Sequence, residues 1–275
     1  MNIRRYPRAS ANPTLAIVTP SYNQGRFLER TILSVLEQND PNLRYAVIDG
    51  GSTDNSLEII RKYEKYLTFW CSELDDGQSS AIVSGFRKIG GDIRGWINSD
   101  DEYIPGSFRR VRQAFARDPE LTLVYGERVL IDAESNVLGW SRSAPYDPGI
   151  AGYNIASETA FWTAAAEARV GSIDTSLRFA MDLDFFTRLY LEKRSIKLDH
   201  FLGKFRCHDE SKSAMIADVG AEEAAQLWEQ FFGLSDTWKI GPKRLYARHA
   251  LAGLSHPRLL GIPYVKQKYF ARMHS

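Results

Sequence analysis

Short apolar runs alternate with longer amphipathic stretches through the first half of the chain. Leu15–Thr19 is apolar and β-branched and stops at Pro20, the pattern of a buried strand. Residues 26–38 then place Phe27, Ile32, Val35 and Leu36 at helical spacing. Tyr45–Ile48 reads as a second strand. Leu57, Ile59, Ile60 and Tyr63 form the apolar face of a helix that Thr53 or Asp54 can cap. Leu67–Cys71 reads as a third strand, residues 78–88 as a helix, and Ile93–Asn98 as a fourth strand. Pro105 is expected to open the next helix, where its missing N–H is harmless. Leu121–Tyr125 and Glu127–Asp132 read as further strands, with Asn136 in a turn. This alternation predicts an α/β fold: a Rossmann-like, mainly parallel central sheet flanked by helices.

In such sheets, ligands bind beyond the carboxyl ends of the strands. Four polar loops fall there: PSYNQG (20–25), DGGSTDNS (49–56), DDGQSS (75–80) and NSDD (98–101). Each alone is ordinary turn chemistry; converging on one crevice, they point to a ligand site. A softer boundary falls at Ser141–Gly152, rich in Pro, Gly and Ser. Beyond it lie SETAFW (157–162), a helix expected from Asp182 to Lys193, and KFRCHDESKS (204–213). From Ala221 on, the composition is helical and ends in a basic tail. The expected division is a unit over 1–213 that carries these loops and a helical basic extension over 214–275.

Composition narrows the classes. Lys and Arg number 35 against 34 Asp and Glu, so charge offers no case for nucleic-acid binding. The two cysteines, Cys71 and Cys207, form no CxxC or Cys/His cluster, which fits a reducing cytosol and argues against a structural zinc. No apolar run approaches the roughly 20 residues that span a bilayer. A Walker-type GxxxxGK[ST], a GxGxxG after the first strand and a GxSxG elbow are all absent.

The adjacent acids Asp100 and Asp101 have two readings. One of them caps the helix expected at Pro105, or the pair acts on a ligand. Neighbours leaving a strand point in different directions, so one can face Mg²⁺ or Mn²⁺ while the other hydrogen-bonds a sugar hydroxyl. A divalent ion stabilises the charge that builds on a departing diphosphate.

The segments TPSYNQGRFLERTILSVLEQ, VIDGGSTDNS, DDGQSSAIVSGFRKIGGDIRGWINSDD and MDLDFFTRL resemble glycosyltransferase family 2, inverting enzymes of the GT-A fold, in order and spacing from about Thr14 to Ser213. The resemblance implies a nucleotide-sugar donor, usually uridine-linked, and Mn²⁺ or Mg²⁺ as cofactor. It implies that Pro20, Tyr22 and Asn23 contact the nucleotide, that Asp49 binds the base, and that Asp76 and Gln78 line the donor pocket. It further implies ribose contact for Asp100, metal ligation for Asp101, and the catalytic base for Asp182. The family's common Glu-Asp pair is Met181-Asp182 here, which keeps Asp184 open as an alternative base. Asp182 at the start of a helix is held ionised by the helix dipole, or is a simple N-cap.

FRCHDESKS resembles a family segment whose His reaches the metal or diphosphate, here His208; Lys212 would offset phosphate charge. Glu158, Thr159 and Trp162 resemble a segment beside the donor sugar and acceptor, although the family more often has Gln at position 158, and Trp162 equally suits the core. The acceptor implied is a saccharide or lipid-linked saccharide, in work on a bacterial surface polysaccharide such as an O-antigen or capsule repeat. The basic, aromatic tail is either a solvated helix face or a peripheral contact with anionic lipid, which would place a cytoplasmic enzyme at the inner face of the plasma membrane. Competing readings are a sugar nucleotidyltransferase and a non-catalytic nucleotide-sugar sensor.

Overall fold

The structure is a computed structural model and describes residues 12–141, 155–209, 211–212 and 216–233. The basic tail beyond 233 and most of the 141–152 boundary lie outside the described residues.

The alternating pattern folds as expected in the N-terminal half. Strand β1 (Leu15–Ser21) is followed by helix α1 (Gly25–Leu36), β2 (Leu43–Asp49), α2 (Ser56–Tyr63), β3 (Phe69–Ser72), α3 (Gln78–Ile89) and β4 (Ile93–Trp96). These four strands are parallel, in the order β3-β2-β1-β4. Because β2 and β4 lie on opposite sides of β1, the strand order reverses at β1, and the loops after β1 and β4 open the crevice of a doubly wound sheet. Pairing of β1 with β4 ends at Val18–Trp96, two residues before Pro20, so the proline sits where the strands part.

Side chains alternate across the sheet, as the pleat requires. Leu15, Ile17, Tyr45 and Val47 pack on one face with Leu28, Ile32, Val35 and Ile60 of α1 and α2. Ala16, Val18, Ala46 and Ile48 pack on the other with Ala81, Ile82 and Phe86 of α3. Asp54 caps both helices on the first face: its carboxylate accepts the N–H groups of Ser56 and Gly25 at 2.9 and 2.8 Å.

The second half departs from expectation in several places. A two-residue strand, β5 (Glu102–Tyr103), follows β4, and helix α4 covers Ser107–Arg117. Pro105 therefore stands in a turn ahead of the helix, because Gly106 (φ +83°) takes the left-handed conformation at the N-cap. The two strands expected across 121–132 are one, β6 (Leu123–Ile131). Gly126 does not break it; a Cβ there would stand 2.6 Å from the His200 carbonyl, so glycine permits the close approach of the neighbouring strand.

Asn136 lies in the turn between β6 and β7 (Val137–Ser141). Then come β8 (Phe161–Thr163), α5 (Ala164–Val170), α6 (Met181–Leu191), β9 (Ser195–Arg206) and α7 (Ala217–Phe232). The full sheet of the described residues runs β3-β2-β1-β4-β8-β6-β9-β5, with β7 on β6. Strand β8 joins antiparallel between β4 and β6, while β6 and β9 are parallel. Around β8 the core is aromatic: Trp162 meets Phe86, Trp96 and Phe185 edge-on, and Trp96 stacks on Phe186 of α6 at 5.0 Å.

Helix α3 approaches the sheet through Gly85, where a Cβ would lie 2.6 and 2.9 Å from the two Val18 methyls and 3.2 Å from Ile48. Gly85→Ala is expected to lower unfolding free energy by about 1–3 kcal/mol through overpacking. A urea titration checks this; the midpoint should fall with an unchanged slope.

Candidate active site

The site grows from the carboxyl ends of β1, β2 and β4. Asp49 closes β2 and is fully buried. Its carboxylate accepts the Ser52 N–H at 2.9 Å, the Ser52 hydroxyl at 2.5 Å and the Ser72 hydroxyl at 2.7 Å. The Ser52 oxygen in turn accepts the Asn23 N–H at 2.8 Å, and Asn23 Oδ1 accepts the Thr53 N–H at 2.8 Å. Asn23 holds φ +51°, a left-handed conformation that Asn tolerates better than most residues. The loops after β1 and β2 are thereby locked together, with Pro20 buried beneath them and Tyr22 exposed (59%) at the rim.

The loop after β4 carries the acid pair. The Thr31 hydroxyl of α1 reaches the carbonyls of Ser99 and Asp101 at 2.9 and 2.7 Å. Asp101 is 1% exposed; its Oδ1 accepts the Arg206 N–H at 2.9 Å, and its Oδ2 lies 3.3 Å from Asn98 Nδ2. Asp100 is more open and pairs with His208, Oδ2 to Nε2 at 3.0 Å. The acids thus point apart, as expected for neighbours at a strand end, and neither side chain is seen capping α4. Beyond them a chain of polar groups crosses the crevice. Gln78 Nε2 donates to Asn98 Oδ1, and Lys212 Nζ donates to Gln78 Oε1, each at 2.6 Å.

Asp182 lies in the first turn of α6 but is not its N-cap, a position held by Ala180. Its Oδ1 accepts the adjacent Leu183 N–H at 2.8 Å. Asp184, the alternative base, is tied to Arg188 at 2.6 Å, and that guanidinium is held in turn by the carbonyls of Val170, Gly171 and Ser172. Desolvation pushes the Asp182 carboxyl up to about 7, with Leu183 N–H and Lys212 opposing and Glu158 adding to the rise. Lys212 is pushed down by desolvation, against the pull of Asp182 and Glu223.

Glu158, in a 3-10 turn over Ser157–Thr159, acts electrostatically on both Asp101 and Asp182. It is buried, lies 3.5 Å from Arg128, and its Oε1 has no hydrogen-bond partner among the described residues. Asp101 is held well above the usual carboxylate range by desolvation, then by Asp100 and Glu158. Asp101 feels the charge of Asp100 and Glu158, and His208 Nδ1 is buried without a hydrogen-bond partner among the described residues; carboxylate oxygens and an imidazole nitrogen are ligand types that suit a hard divalent cation. Among the described residues no three His, Cys, Asp or Glu side chains gather as a complete cage. Two protein ligands are what a Mg²⁺-type ion sharing its shell with phosphates and water requires.

Not every expected residue faces the crevice. Trp162 is 0% exposed, ringed by aromatic side chains, with its indole N–H given to Glu167 at 2.8 Å; it belongs to the core. Thr159 is also buried and bonds the carbonyls of Gly126 and Ala156, supporting the turn that carries Glu158. Asp76 is exposed and lines a cavity of about 190 Å³ with Ile48, Cys71, Ser80 and Ser84. Sequence reading missed Arg206, Asn98, Ser52 and Arg128. For Arg206 no local signal existed: the strand that ends on it is a charged run, and the demand of a buried cation for several partners arises only once the chain is folded.

A profile described as Glycosyl transferase family 2 matches residues 16–166. The chain is similar to an uncharacterized glycosyltransferase of Rickettsia typhi, 26% identical over 231 residues, covering 80% of this chain and 72% of that protein. It is also similar to an uncharacterized glycosyltransferase of Haemophilus influenzae, 31% identical over 127 residues, covering 45% and 50%. The chondroitin synthase of Escherichia coli is 27% identical over 183 residues, covering 64% of this chain and only 26% of the synthase. Among solved structures, the fold resembles the mannosyltransferase PcManGT from Pyrobaculum calidifontis in complex with GDP-Man and Mn²⁺. The TM-score is 0.65 at 16% identity, covering 93% of this chain and 79% of that one. It also resembles Staphylococcus aureus TarS 1-349 in complex with UDP-GlcNAc, with TM-score 0.60 at 15% identity, covering 84% and 77%. The fold is GT-A, the α/β architecture expected from the alternating pattern.

Because native Asp182 holds its proton more tightly than an unfolded aspartate, its contribution to stability falls as pH rises from about 4 through about 7. Asp182→Asn removes that titration. The variant's melting temperature should exceed the wild type's near pH 8, and the difference should close toward about pH 4. Differential scanning calorimetry across that range checks it; a constant offset at all pH values would count against a raised Asp182.

Proposed function

The chain belongs to glycosyl transferase family 2, and on that premise we propose that it is an inverting, metal-dependent transferase. It moves a sugar from a nucleoside-diphosphate donor, UDP-linked by preference, to an acceptor hydroxyl. The observation that carries this reading is the pairing of two acid groups around one crevice: Asp100–Asp101 with His208 at the end of β4, and the carboxyl of Asp182 at the head of α6. Glu158 acts electrostatically on both groups, and Lys212 connects Asp182 to Gln78 and Asn98.

In this reading the loops after β1 and β2 receive the nucleotide. Pro20, Tyr22 and Asn23 form one wall, and Asp49 meets the base through the one Oδ1 lone pair that Ser52 and Ser72 leave free. Asp76 and Gln78 line the donor's path, and Asp100 meets the ribose. Asp101 and His208 would hold Mn²⁺ or Mg²⁺, which when bound neutralises charge on the diphosphate. Lys212 adds a positive charge on the same side.

Asp182 acts as general base. It takes the acceptor's proton as that oxygen bonds to the anomeric carbon and the diphosphate departs with the electron pair of the broken C–O bond. A single displacement inverts the anomeric centre, unlike the two-step covalent route. A base that titrates near 7 is matched to operation near neutral pH. Asp184 is unavailable for that role because Arg188 holds it. In this reading Glu158 meets the acceptor or donor sugar.

The acceptor is a saccharide or lipid-linked saccharide, and the task is assembly of a bacterial surface polysaccharide such as an O-antigen or capsule repeat. The similarity to a chondroitin synthase supports a polysaccharide-building role. No helix among the described residues is long and apolar enough to cross a membrane, so contact with a lipid-linked acceptor at the inner membrane face would be peripheral.

Three outcomes test this function. A thermal-shift panel of UDP- and GDP-sugars with Mn²⁺ or Mg²⁺ should single out a matching donor by its stabilisation, and EDTA should erase the shift. Asp101→Ala should abolish metal-dependent UDP binding in calorimetry; a variant whose affinity, with and without Mn²⁺, is unchanged from the wild type would refute the metal role. Asp182→Asn should keep donor binding and lose turnover by about 10²-fold or more, whereas a sensor or a nucleotidyltransferase would show no such split.

A further inference from the structure

Helix α7 is fastened to the head of α6 by one carboxylate. Glu223 Oε1 accepts the Arg178 N–H at 2.8 Å, while Oε2 accepts the N–H groups of Phe179 and Ala180 at 2.9 and 2.8 Å. These donors belong to the turn that delivers Asp182. Helix α6 has no side-chain cap of its own, because Ala180 holds the N-cap position. A residue 43 positions away supplies the acceptor instead.

The surrounding packing leaves little freedom. Gly220, one turn ahead of Glu223, lies against Phe179, where a Cβ would stand 2.4 Å from the ring. Ala224, Leu227 and Trp228 of α7 are buried in the same apolar cluster as Met181, Leu183 and Phe185 of α6. Desolvation raises the Glu223 carboxyl, but the three N–H donors together with Lys212 outweigh it and hold the group below its usual range. Asp182 is acted on by Lys212 and Glu158; Lys212 is acted on by Asp182, Glu223 and Arg178.

We propose that Glu223 is a positioning residue for Asp182: the carboxylate of α7 fixes the turn at 178–180 that delivers Asp182, making α7 part of the catalytic apparatus. The proposal rests on the reading of Asp182 as the base. A carboxylate suits this place because both its oxygens accept. An amide of the same shape would turn an NH₂ group toward at least one backbone N–H, leaving that donor unmatched.

The full chain, with aspartate carboxyls labelled with ¹³C, provides the test. The Asp182 resonance is identified as the one missing in Asp182→Asn and is titrated by NMR. In Glu223→Gln its midpoint is expected to fall from about 7 toward the ordinary carboxylate range, by about one unit or more, as water enters the loosened turn. Glu222→Gln, at the exposed neighbouring position, should leave it in place. Binding of UDP with Mn²⁺, measured by calorimetry, should be unchanged in both variants, which separates loss of positioning from loss of the folded crevice. A wild-type Asp182 midpoint in Glu223→Gln overturns the proposal. So does a shift of equal size in Glu222→Gln. Full turnover in Asp182→Asn instead overturns the base assignment, and the NMR titration reads the Glu223 coupling independently of turnover.

Discussion

The acid pair at the crevice depends on a buried cation. The Arg206 side chain is 0% exposed, and all three of its guanidinium nitrogens donate to groups around the site. Nε bonds the Asp100 carbonyl at 2.7 Å. One terminal nitrogen reaches the carbonyls of Asp132 and Ala133 and the Ser135 hydroxyl; the other meets Glu102 at 2.6 Å. Its backbone N–H orients Asp101, and the guanidinium lies over the Phe27 ring at 4.9 Å. A guanidinium out of water is tolerated only when its donors are matched, so each of these groups is obliged to stay where it is. Arg206 thereby ties β9, the β6–β7 turn and the loop after β4 to α1.

Against that rigid frame, the crevice concentrates like charge. Burial, then Asp100 and Glu158, push the Asp101 carboxyl up, and Asp182 is desolvated with Lys212 among the groups opposing its rise. Such an arrangement costs stability in the free protein and is retained where a ligand will supply what is missing. A divalent cation and the diphosphate it accompanies would satisfy the carboxylates. On the proposed reading, an acceptor hydroxyl would meet the Asp182 carboxyl.

The second half of the chain serves mainly to deliver these groups. Strand β8 is only three residues long, yet it carries Trp162 into the aromatic core directly after the turn that holds Glu158. Strand β9 brings Arg206 and His208 alongside the acids, and Gly203 lets it pass the Glu158 backbone, where a Cβ would stand 2.5 Å from the carbonyl. Helix α7 closes the assembly over α6 through apolar packing and the Glu223 bonds. Several expected site residues are held by partners far away in sequence: Asn23 by Ser52, Asp49 by Ser72, Asp100 by His208, Asp101 by Arg206 and Gln78 by Lys212.

The sequence by itself determined the parallel half of the sheet and the loops at its carboxyl edge. Each of those elements is long enough to display its own period, and turn chemistry at Asp49-Gly50-Gly51 or Asn98-Ser99-Asp100 depends only on neighbours. Strands β5, β7, β8 and β9 were not legible. Two to five residues carry no period, and the charged run SIKLDHFLGKFR becomes a strand only because β6 offers it a ladder. Trp162 could be core or contact until the fold wrapped it in other rings. Sequence reading favoured Asp182 over Asp184, and only the fold shows that the second is tied to Arg188. Glu223 has no motif at all, since its role is to accept three N–H groups more than forty residues distant. Burial and long-range hydrogen bonding are properties of the assembled chain, and they decided which of the legible acids stand together and which are only structural.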